Sequence, residues 1–134
     1  MRETSVNLEQ FIVNKCNGRV DFTIDIDENG DAIPEYKVLN WYENLYAVGI
    51  KNMMCTTNPS LKLDLRDKVA EAIQAARVLA VDSKASVGGW LSPDGYYCLD
   101  VVINIENRDQ AIYTAAIGNE SYIYDRVTDE LIKV

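Results

Sequence analysis

The chain contains no histidine, which removes the commonest general base and the commonest metal ligand from its chemistry. Cysteine is scarce and odd in number. Cys16, Cys55 and Cys98 lie far apart, so neither a full disulfide framework nor a familiar zinc site is supported, and reduced thiols are expected. No apolar run approaches the ~20 residues that a membrane-spanning helix needs. Met1 to Gln10 has neither the basic start nor the apolar centre of a secretion signal. A cytoplasmic protein is the expectation. There is no phosphate-binding loop of the Walker type, no dinucleotide fingerprint, no internal repeat and no low-complexity tract or linker.

Positive charge is also short. Thirteen lysines and arginines face 21 acidic residues, for a net charge of −8. Such a balance opposes long-range attraction to nucleic acid or to an anionic membrane. An anionic ligand must then be met by a local cluster of arginines or by backbone amides. An acidic surface can also imitate DNA, so an acidic interaction protein that inhibits a nucleic-acid enzyme is one reading. What the chain does have is apolar content: 48 % hydrophobic and 25 % charged residues over 134 positions suit a single domain, 1–134, with a buried core.

The alternation of Val20, Phe22, Ile24 and Ile26 with Asp21, Thr23 and Asp25 predicts a half-buried strand. Asn29-Gly30 then predicts a hairpin whose return runs through Ala32 to Leu39, with Pro34 holding it to an edge or a bulge. Phe11 to Val13 is expected as another short strand, turning at Asn17-Gly18. Asn40 to Thr57 is dense in apolar residues without a clean period, and is read as a short helix near Tyr42 to Val48 and a strand near Ile50 to Cys55. Asn58-Pro59-Ser60 breaks it. From Asp64, Leu65, Val69, Ala72, Ile73, Ala76 and Ala80 recur at helical spacing.

The last fifty residues are the clearest. Ser92-Pro93-Asp94-Gly95 is a turn between Val87 to Leu91 and the β-rich run Tyr96 to Ile105. Asn107 caps a helix with Gln110 at its third position, Ala111, Ile112, Ala115 and Ala116 share a face, and Gly118 is expected to close it in the left-handed conformation. Tyr122 to Asp125 and Glu130 to Val134 follow as strands. The fold class is α+β, a mainly antiparallel sheet with two α-helices packed on it.

Asp25 to Gly30 matches the opening of a calcium-binding loop, but the twelfth position is Tyr36 where a bidentate Glu is needed, and strands flank it. It reads as a hairpin with a solvated acidic tip. Gly88-Gly89 in a strand marks a bulge or a close backbone approach. Carboxylates are many but carry no motif, so a carboxylate-dependent nucleotide hydrolase stands only as an alternative. One of the pair Tyr96/Tyr97 must face away from the core, where an aromatic ring can stack a base.

Gly88-Gly89-Trp90-Leu91, Tyr97, Asp100-Val101, Asn107-Arg108-Asp109 with Ala111 and Ala115, Asn119, Tyr122 to Asp125 and Glu130-Leu131-Ile132 together resemble the C-terminal part of the phage Thoeris anti-defence proteins of the first type. That resemblance covers about the last fifty residues. It implies a non-enzymatic sponge that binds a cyclic ADP-ribose isomer made by a bacterial TIR-domain immune enzyme, without cleaving it. It further implies assembly as a homodimer or homohexamer, and cyclic di- or trinucleotides as ligands at a second site. No cofactor and no metal is expected. The ligand-binding residues expected are Trp90, Tyr97, Asn104, Arg108, Asp109, Tyr122 and Tyr124. Arg108, in the first turn of a helix where a cation opposes the positive helix end, is assigned to a phosphate, and Asn104 to a base or ribose.

Overall fold

Leu8, Ile12 and Cys16 recur every fourth residue, and that spacing decides how the chain begins. In the computed structural model, which describes residues 5–33 and 45–134, they share the buried side of helix α1 (Ser5–Asn17). The strand expected at Phe11 to Val13 is therefore helix. Its β-branched pair Ile12-Val13 favours a strand locally, but both side chains bury on a helical stripe, while Phe11 turns outward beneath the Lys15 ammonium. Arg19, at φ 53°, turns the chain into strand β1 (Phe22–Ile26).

After β1, the Asp27 carboxylate accepts hydrogen bonds from the backbone N–H groups of Asn29 and Asp31, and Gly30 sits at φ 81°. The acidic tip is thus a side-chain-capped turn. One bridge, Ile26 to Ala32, begins the return. The rest of the expected returning strand, with Pro34, lies outside the described residues, as do Trp41 and Tyr42. The helix expected up to Val48 is replaced, where the chain is described, by the long strand β2 (Tyr46–Thr56). Two register shifts, at Gly49/Lys51 and Asn52/Met54, interrupt its pairing. They explain the missing period, since each extra residue flips the inside–outside alternation.

A 3-10 turn at Pro59–Leu61, capped by the Asn58 side chain, leads to α2 (Leu65–Leu79). Leu65, Val69, Ala72, Ile73 and Ala76 are buried along one side. Burial of each of the three larger side chains contributes roughly 1.5–3 kcal/mol, and the alanines allow close approach to the sheet. Strands β3 (Ala85–Leu91) and β4 (Tyr97–Ile105) form the expected hairpin, with Gly95 at φ 89°. Asn107 caps α3 (Arg108–Ile117) by accepting from the Gln110 N–H at 3.0 Å. Gly118 does not adopt the left-handed conformation. It stays at φ −82°, and Asn119 turns the chain at φ 58°. Strands β5 (Tyr122–Asp125) and β6 (Glu130–Lys133) follow.

The six strands of the described residues form one antiparallel sheet in the order β1-β3-β4-β2-β5-β6. The fold is α+β as expected, with three helices among the described residues where two were expected. Alternation along β4 sorts its surroundings. Tyr97, Leu99 and Val101 join the core beneath α1 and α2, and Ile103 and Ile105 pack in the smaller cluster with Ala111 and Ala115 of α3. The three described helices therefore lie on one side. Cys98, Asp100, Val102 and Asn104 point to the other.

Cys55 and Cys98 are direct partners across β2 and β4 and form a disulfide. This corrects the expectation of three reduced thiols, which rested on distance in sequence and could not see strand register. Cys16 remains a free, buried thiol, pushed up to about 11 by burial. No helix among the described residues is long and apolar enough to cross a membrane.

Candidate functional site

Strand alternation puts small residues side by side on the helix-free face. Ala47 and Gly49 of β2 lie across from Asn104 and Val102, and Gly88 of β3 lies across from Asp100. Without bulky side chains this stretch of sheet is a floor. Trp90 rises on one side, and Tyr122, Tyr124 and Leu131 rise from the β5–β6 hairpin on the other. The loop that leaves α3 completes the wall with Asn119, Glu120 and Ser121. The cleft so formed has a volume of about 680 Å³, within the range of pockets that hold small molecules.

Asp100 stands in the middle of the floor with both oxygens engaged. Oδ1 accepts from the Asn52 amide at 2.7 Å, and Oδ2 accepts from the Trp90 indole N–H at 3.2 Å. The second bond fixes the indole against the cleft. Burial lifts Asp100 above the ordinary carboxylate range, and these two donors bring it part of the way back. Glu120 reaches the same space. A methyl group on Gly49 would lie 3.6 Å from Glu120 Oε1 and 3.7 Å from Asp100 Oδ2. Burial raises Glu120 as well, and the charge of Asp100 adds to it. Tyr124 donates its hydroxyl to Asp129, and burial together with that bond pushes the phenol up to about 12.

A second polar cluster lies on the same face. Arg126, just past β5, reaches across to β1 and forms a forked pair with Asp25, Nη1 to Oδ1 at 2.8 Å and Nη2 to Oδ2 at 3.0 Å. Ser86 donates to Asp25 at 2.5 Å. Asn104 donates to Ser86 Oγ at 2.9 Å and to the Lys84 carbonyl at 3.0 Å, and accepts from Arg126 at 3.0 Å. The Asp25 side chain is fully enclosed. Its burial raises the carboxyl, and Arg126 and Ser86 pull it down again.

The seven expected ligand residues separate into three groups. Trp90, Tyr122 and Tyr124 come together around the cleft. Asn104 has its amide fully used in the Arg126 cluster, and so joins strands rather than reading a base. Tyr97 is the inward member of its pair. Its ring is enclosed in the core and its hydroxyl donates to the Val20 carbonyl at 2.8 Å, while Tyr96 is the exposed one. Arg108 and Asp109 are exposed at the start of α3. The cleft is built from the residues after the other end of that ten-residue helix, a length of about 15 Å. Asp100, Glu120, Asn52 and Gly49 are the site residues that the sequence reading did not single out as ligand contacts. The alternation of Cys98, Asp100, Val102 and Asn104 along a strand of known orientation could have found Asp100.

Compared with protein-family models, with curated proteins and with solved structures, the chain matches none of them.

Proposed function

We propose that the protein is a non-catalytic sponge that holds a cyclic ADP-ribose isomer, of the kind bacterial TIR-domain immune enzymes make, in the cleft on the helix-free face. The observation that carries this reading is the aromatic cleft itself: a floor of Gly49, Gly88 and Ala47 between Trp90 and the Tyr122/Tyr124 hairpin, large enough for a nucleotide. Aromatic rings on a cleft wall can stack a base, and carboxylates such as Asp100 and Glu120 can accept from ribose hydroxyls. Arg108 stands away from this cleft, so the phosphates of a bound ligand face its mouth. In this reading the protein works in the host cytoplasm, where the signal is made, and assembles as a homodimer or homohexamer. Cyclic di- or trinucleotides occupy a separate site.

Incubation with cyclic ADP-ribose isomers, removal of free ligand and denaturation should release the isomer intact and in stoichiometric amount. A second reading, a carboxylate-dependent nucleotide hydrolase, draws on the closeness of Asp100 and Glu120, two carboxyls both raised in the same cleft. Recovery of a linear product would favour it over the sponge. A monomeric mass by light scattering at micromolar concentration would remove the assembly.

A further inference from the structure

The cleft combines two features that seldom coexist in a phosphate site. Its walls carry carboxylates from four parts of the chain, Asp21, Asp100, Glu120 and Asp129, and no lysine or arginine is among the described residues that line it. Its central ring is the indole of Trp90, held by its N–H to Asp100 Oδ2. An indole that donates to a carboxylate presents an electron-rich face, and Trp is the side chain that best attracts a cation over its ring. Asp100 and Glu120 approach one another over Gly49, where a group of positive charge relieves their mutual repulsion.

We propose that the cleft selects a positively charged heteroaromatic ring, seated over Gly49 and Gly88 against Trp90, with its charged edge toward Asp100 and Glu120. This rests on the reading of the cleft as the ligand site and names the part of the ligand that enters it. A purine alkylated at N1 is such a ring, because it carries a proton near neutral pH that an ordinary adenine does not. The neutral adenine has the same shape, so charge alone separates the two. A free phosphate is repelled by the same carboxylates and stays outside.

The test is isothermal titration of the full-length protein at pH 7 with three probes: 1-methyladenosine, whose ring is cationic, adenosine, which is neutral, and adenosine 5′-monophosphate, which is anionic. The expected order is 1-methyladenosine tightest, by roughly tenfold over adenosine or about 1.4 kcal/mol, with the monophosphate weakest. Glu120→Gln should weaken 1-methyladenosine more than adenosine and so reduce that preference to under about threefold, since the amide keeps an acceptor oxygen but loses the charge. Equal binding of adenosine and 1-methyladenosine, no binding of either, or a preference that survives Glu120→Gln overturns the proposal. If such a result is found while intact cyclic ADP-ribose isomer is still recovered from the protein, sequestration stands and ring selection fails. If 1-methyladenosine is preferred and no isomer is retained, selection stands and the sponge fails.

Discussion

Gly89 of β3 and Gly49 of β2 face opposite sides of the sheet, and their surroundings set opposite consequences for a single methyl group. At Gly89 a Cβ would collide with the Phe22 ring and the Tyr97 hydroxyl on the packed side. Gly89→Ala is therefore expected to cost about 2 kcal/mol or more through overpacking, seen as a lower midpoint in urea unfolding. At Gly49 a Cβ would meet only ordinary contacts, so Gly49→Ala should unfold at the parent's midpoint while placing a methyl on the cleft floor. Arg126 offers a third test at this scale. Arg126→Ala leaves Asp25 buried without its partner, a loss of roughly 3–5 kcal/mol at pH 7. The sign with pH follows from Asp25 being raised on folding. A carboxyl raised in the folded state binds its proton more readily there, so stability is recovered as pH falls toward the ordinary carboxylate range near 4. Thermal melts of the variant across pH 4 to 8 should show its deficit shrinking toward the acid end. A deficit independent of pH would mean that Asp25 is not the group left unpaired.

Elements with an unbroken period were legible in the sequence, and elements with a broken one were not. Helix α2 and the β3–β4 hairpin stand where Leu65 to Ala80 and the Ser92-Pro93-Asp94-Gly95 turn predicted them. Helix α1 was missed because Phe11-Ile12-Val13 has local strand preference, and only the wider spacing of Leu8, Ile12 and Cys16 reveals the helix. In β2 two register shifts hide the alternation altogether. The cleft was legible only in part: Trp90, Tyr122 and Tyr124 line it, whereas Tyr97 faces the core and Glu120 enters from a loop whose path no local rule specifies. The Cys55–Cys98 disulfide joins β2 to β4 next to Trp90, which pairs with Cys98 in the neighbouring strand. Its closure should raise stability by about 2–4 kcal/mol over the reduced protein. Melting with and without reductant measures this, and the double variant Cys55→Ser/Cys98→Ser should behave like the reduced form and be insensitive to reductant.

At the scale of the whole molecule, three helices cover one side of the sheet and none of the described helices covers the other, where glycine, alanine and aromatic residues make a cleft rather than a core. A face of that kind is suited to hold a ligand, and one of its acids, Asp100, is positioned there by Trp90 and Asn52. The measurement that bears most directly on this account is titration of a cyclic ADP-ribose isomer into the parent protein and into Gly49→Ala, whose fold should be unchanged. Saturable binding by the parent, weakened at least tenfold in the variant or about 1.4 kcal/mol, is the predicted result. Equal binding by the two proteins, or none by the parent, would contradict it.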